Sequence, residues 1–216
     1  DLPATLPLDG RVTAQSRLDP LVSLAALDGQ TVQGDLAVDL RLEGTIDRPR
    51  LTGSVEIANG RVADAISGVV LTDLAMVLRG TGSRLEVERF TGRDPSGGSL
   101  ELTGGMAIDF ANLLPYRFEL RTRDLRVLDN DMGRAAVSVD IAMQGSGNGG
   151  EISGRITIPR ADLRLPSGGA IEPVTLDVEV LGEVPRAVEP AAGPAGPDYR
   201  MALDLVVDMP ARIFVR

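Results

Sequence analysis

The 216-residue sequence contains no Cys, His, Trp or Lys, and all 22 of its basic residues are Arg. The absence of Cys and His excludes the ordinary ligand sets of zinc, copper, haem and iron–sulfur sites. A serine nucleophile would lack both the His and the Lys that usually activate it, which leaves only carboxylate pairs for catalysis. We therefore expect a protein that is not an enzyme and that holds no cofactor and no metal.

Aromatic side chains are also scarce, with six in the chain, and the formal net charge is −9. An acidic chain with few aromatic rings offers neither the positive surface nor the stacking platforms that nucleic acids need, so we expect no nucleic acid partner. No stretch approaches the ~20 apolar residues of a membrane-spanning helix. The chain begins with Asp1 and ends just after the strand-like run at 213–215, so we interpret it as part of a longer protein.

Apolar residues at every second position are the dominant signal that the sequence does contain. Segments such as 38–43 (VDLRLE) and 116–121 (YRFELR) alternate apolar and charged side chains, and similar segments recur along the chain. This period of two predicts an all-β protein whose antiparallel sheet has one aliphatic face and one charged face. The acidic residues at the charged positions are then a solvated surface rather than a catalytic pair: Glu86, Glu88, Glu101, Asp140, Asp177 and Glu179.

Helix and loop signals are few. Residues 19–27 predict two helical turns, because Asp19 is a fair N-cap and Pro20 suits the first helical position. Residues 111–114 predict one further turn before Pro115. The stretch 183–197 (EVPRAVEPAAGPAGP) predicts a flexible Pro/Gly-rich loop within a single elongated domain that spans residues 1–216.

An internal repeat relates residues 38–62 to residues 139–163 without gaps, at a period of 101 residues. Gly53 matches Gly154, and Asp39 matches Asp140. Because the period is longer than that of a small solenoid unit, each repeat should contain several strands.

Two motifs that are associated with ligands have a plainer interpretation. Gly145, Gly147 and Gly150 match the letters of the dinucleotide-binding fingerprint, but an alternating strand follows them instead of the required helix. We therefore interpret them as a Gly-rich hairpin turn. The segment 129–133 (DNDMG) resembles a calcium-binding loop only faintly, since its fifth position is Gly, and it predicts an ordinary turn.

The aliphatic faces of the strands have two possible uses. Two sheets packed face to face would bury them in a sandwich, whereas a single open sheet would present them as a groove for acyl chains. Sandwich cores are usually rich in aromatic residues, which this chain lacks, yet composition alone still favours the commoner sandwich.

A family resemblance bears on this choice. The pattern L-x-G-T-x-x-x-P-x-L-x-G-x-x-x-x-x-x-G occupies residues 42–60 and is followed by VLTDL at 70–74, ISGRITIPRADLRLP at 152–166 and DMPARIFVR at 208–216. This succession, from about residue 21 to the end of the chain, closely resembles the C-terminal region of the TamB family. That family is the inner-membrane component of the translocation and assembly module of Gram-negative bacteria.

The resemblance implies an elongated antiparallel sheet that curls into a half-open apolar trough, the β-taco of AsmA-like, bridge-like lipid transfer proteins. It implies a periplasmic segment, tethered to the inner membrane in the full-length protein, that conducts phospholipids between the two membranes. The partner implied for the adjoining C-terminal region is a TamA-like outer-membrane protein of the Omp85 family. The alternative is a chaperone-like module that holds nascent β-barrel or autotransporter strands by β-augmentation.

Alternation assigns the residues that would line the groove and contact phospholipid acyl chains. We also expect copies of the chain to associate through exposed sheet edges, which sedimentation would show. The proposed lining consists of Val38, Leu40, Leu42, Val55, Ile57, Leu74, Met76, Leu78, Leu85, Val87, Leu100, Leu102, Phe118, Leu120, Val137, Val139, Ile141, Ile156, Ile158, Leu176, Val178, Met201, Leu203 and Leu205.

Overall fold

The structure, a computed structural model, describes residues 5–19, 29–164 and 199–210, together with the backbone of 213–215. Most of the predicted helix at 19–27 and the predicted loop at 183–197 therefore lie outside the described residues. The same holds for Leu176 and Val178 of the proposed lining.

The described residues form one sheet, as the alternating sequence predicts. Neighbouring strands follow chain order from the first to the tenth, and the eleventh pairs with the ninth. The strands are β1 (Pro7–Arg17), β2 (Gln30–Thr45), β3 (Pro49–Asp64), β4 (Val70–Gly82), β5 (Arg84–Arg93), β6 (Ser99–Ala107), β7 (Tyr116–Asn130), β8 (Gly133–Ser146), β9 (Gly149–Leu163), β10 (Arg200–Asp208) and β11 (Ile213–Val215).

Strands β1 to β9 pair antiparallel, each with the next. The prediction of an antiparallel sheet is wrong for the last two strands, because β10 and β11 both run parallel to β9. A parallel pair needs a long crossover instead of a hairpin, and residues 164–199 provide the length for one.

No second layer covers this sheet within the part of the chain that the structure describes. Apart from glycines and Pro49, only three apolar residues there are buried: Leu74, Leu125 and Ala161, at 7%, 9% and 6% exposure. A sandwich of this size would bury the inner face of every strand. The composition-based preference for a sandwich is therefore wrong, and the curled single sheet is confirmed.

A line of β-bulges bends the sheet. Asn59 in β3, Asp73 in β4 and Asp124 in β7 have φ angles of 52°, 52° and 46°, and the pairing register shifts at each of them. Asn and Asp tolerate this left-handed conformation better than other residues with side chains. The residues that follow these three in sequence are buried: Gly60, Leu74 and Leu125. Because a bulge bends its strand locally, we call the line along these three bulges the crease, and Leu74 and Leu125 are buried beside it.

Contacts between two hairpins show how strongly the sheet curls. Strands β4 and β7 are separated by β5 and β6, yet the β3–β4 hairpin touches the β7–β8 hairpin. The Asp129 N–H donates to the Ser67 carbonyl at 2.8 Å, and Asn130 Nδ2 donates to the Ile66 carbonyl at 2.8 Å. This bridge connects the tips of non-adjacent strands on one side of the crease.

The predicted turns are observed, with one correction. Residues 147–148 and 131–132 are the turns of the β8–β9 and β7–β8 hairpins, which accounts for both motifs that resemble ligand sites. The helical turn predicted at 111–114 is instead an irregular turn in which Leu113 and Leu114 have φ angles of 57° and 56°. A right-handed helical turn requires negative φ at these positions, so the helix prediction is wrong there.

The β5–β6 hairpin is held by a buried carboxylate. Asp94 is 4% exposed, and its Oδ1 accepts hydrogen bonds from the Ser96 and Gly98 N–H groups at 2.6 and 3.1 Å. Its Oδ2 accepts from the Arg126 N–H of β7 at 2.7 Å. Burial opposes ionisation of Asp94, but the bonds from Ser96, Arg126 and Gly98 together lower its pKa below the ordinary value.

Replacing Asp94 by Asn is expected to lower the free energy of unfolding by about 1.5–3 kcal/mol at neutral pH, because hydrogen bonds to a buried charged group are lost. Since the pKa of Asp94 is lowered, its stabilisation is present above the pKa of the unfolded chain, about 3.9, and is lost as the pH falls through the folded value. Urea unfolding at pH 7 and pH 3 measures both effects. The exposed Asp131→Asn is the control, and an equal loss in both variants would contradict the prediction.

Candidate apolar groove

Direct pairing places apolar side chains in continuous rows that cross the sheet. Paired residues in neighbouring strands lie on the same face, so each row belongs to one surface. One row crosses all ten strands of the main path, and its members are Ala14, Val38, Val55, Leu78, Val87, Gly104, Phe118, Met143, Ile152 and Leu203.

Two parallel rows flank it and complete a surface that we call the apolar face. The row towards the crease contains Leu36, Ile57, Met76, Phe90, Leu102, Leu120, Ile141, Gly154 and Leu205. The row on the other side contains Val12, Leu40, Gly53, Gly80, Leu85, Met106, Tyr116, Gly145, Gly150 and Met201.

The remaining predicted lining residues mostly extend these rows. Leu42 pairs with Leu51, Val137 pairs with Leu125 at the crease, and Leu74 lies opposite Gly60. A further row joins Leu100, Thr122, Val139 and Ile156. Ile158 has no direct partner, because it falls where the β8–β9 register shifts.

The apolar face is partly open. Most of the predicted lining residues that the structure describes are half-buried, Leu74 is buried, and Met201 and Leu203 on β10 are 46% and 66% exposed. Leu74 and Leu125 lie on the apolar face, whereas the charged residues of the opposite face are exposed, so the apolar face is the more enclosed side of the sheet. The arrangement is a groove with aliphatic walls, a surface that takes up apolar groups by removing them from water.

The opposite face carries charges of alternating sign. Glu101, Arg121, Asp140 and Arg155 form one directly paired row across β6 to β9, with Arg121 Nε 3.6 Å from Asp140 Oδ1. These side chains are exposed, so their pairing contributes little stability and mainly keeps the surface solvated. At the hairpin end of this face, hydrogen bonds from Arg126 and then Arg134 lower the pKa of Asp129.

Sequence periodicity missed several members of the rows, and bulges explain the clearest case. Phe90 follows Val87 by three residues, so strict alternation places it on the polar face. The extra residue in β5 between Val87 and Phe90 returns Phe90 to the apolar face, opposite Met76 and Leu102. Met143 and Ile152 lie at the apolar positions of their alternating strands. Only the pairing register shows that they belong to the row that crosses all ten strands.

The matched glycines of the repeat have a common structural cause. Gly53 and Gly154 have φ angles of 109° and 138°, and a Cβ at these positions would lie 2.0 Å from the Asp39 carbonyl oxygen and 2.1 Å from that of Asp140. The repeat therefore encodes the same close approach of backbones in the β2–β3 and β8–β9 hairpins.

Within the described ranges, no helix is long and apolar enough to cross a membrane. In comparison with known proteins, the family model described as the TamB C-terminal domain matches residues 88–216. No curated protein and no solved structure matches the chain.

Proposed function

Since the chain belongs to the TamB family, we propose that it is a segment of a conduit that carries phospholipids between the inner and outer membranes. It acts without catalysing a reaction, and its groove holds the acyl chains while the headgroups remain in water. As a TamB-family segment it belongs to an envelope-associated protein that works with the translocation and assembly module. We place it in the periplasm, tethered to the inner membrane, with a TamA-like partner of the Omp85 family near the adjoining C-terminal region.

The observation that supports this proposal is the continuity of the apolar rows. One row passes through every strand from β1 to β10 without a charged residue. Exposing an acyl chain to water costs about 0.8 kcal/mol per CH₂, so a lipid needs apolar contact along its whole path. Aliphatic walls offer that contact with little directional preference, which allows a lipid to slide from strand to strand.

Site-specific photo-crosslinking tests the proposal. A benzophenone amino acid at Leu102 lies on the apolar face, and the same group at the neighbouring Thr103 lies on the polar face. We expect phospholipid adducts at position 102 and none at position 103 when the protein is irradiated with phospholipid vesicles. The absence of lipid adducts at position 102 would overturn the proposal.

A chaperone-like module is the second candidate, and the free edge of β10 favours it. Among the described strands, β10 pairs only with β9, and it exposes Leu203 and Met201. Such an edge can accept a nascent outer-membrane or autotransporter strand by β-augmentation. Polypeptide adducts at position 203 during barrel assembly, without lipid adducts at position 102, would support this function over the conduit.

A further inference from the structure

The chain has only two tyrosines, and their side chains meet on the apolar face. The Tyr116 and Tyr199 hydroxyl oxygens are 2.9 Å apart, although the residues are 83 positions apart in sequence. Of the three rows of the apolar face, Tyr116 belongs to the one farthest from the crease, beside the turn of the β8–β9 hairpin. Tyr199 immediately precedes β10 and is 47% exposed. The pair therefore lies where the apolar face ends.

The glycines of the hairpin make room for this pair. A Cβ at Gly145 would lie 2.7 Å from the Tyr116 hydroxyl oxygen, and a Cβ at Gly150 would lie 2.5 Å from it. The same Cβ at Gly150 would lie 3.1 Å from the Tyr199 hydroxyl oxygen. The Gly-rich motif thus allows the Tyr116 side chain to extend across β8 and β9. On its other side, Tyr116 stacks on Phe118, with ring centroids 6.0 Å apart.

The pair leaves one hydrogen-bond donor unused. Each phenol carries a single O–H, and the bond between the two oxygens consumes one of the two protons. Within the described residues, neither hydroxyl makes another hydrogen bond. Because Tyr199 is 47% exposed, this donor can be reached from outside the groove, and a ligand whose chain fills the groove can bring an acceptor that replaces water.

The surroundings select an uncharged acceptor. Arg117 and Arg200 follow the two tyrosines in sequence, but alternation places them on the polar face. An anionic phosphate on the apolar face would have no counter-charge beside it and would be costly to desolvate. The carbonyl oxygen of an ester carries no charge and is the first polar group at the end of an acyl chain. It therefore lies at the boundary that the two tyrosines occupy when the chain fills the groove.

We propose that Tyr116 and Tyr199 form a binding site for the acyl-ester carbonyl of glycerolipids. This inference rests on the proposed conduit function and adds a chemical preference to it. The groove holds the acyl chain, and the free O–H of the tyrosine pair donates to the ester carbonyl. Ether-linked lipids lack that carbonyl, so the site distinguishes lipids that have identical chains and headgroups.

Competition between two matched lipids tests the proposal. The purified protein is incubated with vesicles that contain equal amounts of diester and diether phosphatidylcholine of the same chain length, and bound lipid is quantified by mass spectrometry. We expect the wild-type protein to prefer the diester lipid by about threefold to tenfold, the effect of one net hydrogen bond. Each single Phe variant still has one phenol O–H, so the double variant Tyr116→Phe/Tyr199→Phe, which has none, should bring the ratio to one.

A further variant, Gly150→Ala, retains both hydroxyls but displaces that of Tyr116, and it should also reduce the preference. Thermal unfolding by circular dichroism verifies that each variant is folded. Equal binding of both lipids to the wild type, or an unchanged ratio in the double Phe variant, would overturn the ester site while the conduit stands. Failure of the wild type to bind either lipid would overturn the conduit and the site together.

Discussion

Replacing Leu102 by Arg is expected to remove most bound phospholipid from the protein while the sheet remains folded. Leu102 lies in the middle of the apolar face, between Phe90 and Leu120, and is half-buried. A guanidinium there would meet acyl chains with no counter-charge beside it, and an unpaired charge in apolar surroundings costs several kcal/mol. We expect lipid occupancy, measured by extraction and mass spectrometry, to fall by at least about tenfold.

The neighbouring Thr103→Arg is the matched control for this prediction. It introduces the same side chain in the same strand but on the polar face, where its paired residue is Glu119. Its lipid occupancy should equal that of the wild type. If Leu102→Arg bound lipid as well as Thr103→Arg does, the apolar face would not be the lipid path.

Adding a single Cβ at Gly53 or Gly154 is expected to destabilise the fold strongly. In Gly154→Ala the new atom would lie 2.1 Å from the Asp140 carbonyl oxygen, and in Gly53→Ala it would lie 2.0 Å from that of Asp39. Both glycines also have positive φ, so the new side chain would strain the backbone in addition to clashing with it. We expect each substitution to lower the free energy of unfolding by at least about 3 kcal/mol in urea titrations.

Gly10→Ala is the control, because a Cβ at this strand position would contact nothing within 4 Å. Alanine restricts the unfolded chain more than glycine does, so this variant should match the wild type or gain up to about 1 kcal/mol. Similar losses of stability at positions 10 and 154 would mean that replacing any strand glycine has the same cost. The inference that the repeat encodes a close approach of two backbones would then be wrong.

Much of the fold follows from local sequence. The alternation of Tyr116, Phe118 and Leu120 with charged residues is sufficient to predict a strand with one apolar face, and the structure confirms that strand. The repeat likewise predicts a recurring hairpin, and Gly53 and Gly154 have the same environment in both copies. These features are local because side-chain alternation and glycine conformation depend on residues close in sequence.

Other features depend on contacts between distant residues. The position of Phe90 on the apolar face depends on a bulge in β5, and the parallel pairing of β10 with β9 joins segments separated by a long connection. Neither follows from a period of two, because register is fixed by the partner strand as well as by the strand itself. The Tyr116–Tyr199 contact depends on both the register and the parallel pairing of β10 with β9.

By itself, the sequence determined that the chain is all-β, that one face of its strands is aliphatic, and that it contains no His, Cys or Lys, the residues of the usual metal sites and activated nucleophiles. Only the tertiary structure decided whether the aliphatic face would be buried in a sandwich or left as a groove. A sandwich and an open groove have the same alternating sequence pattern. The pattern shows that one face is apolar, but it does not show what covers that face. The structure decides the matter because the described strands form one sheet that curls until the β3–β4 and β7–β8 hairpins touch, and no second layer among them covers its apolar face.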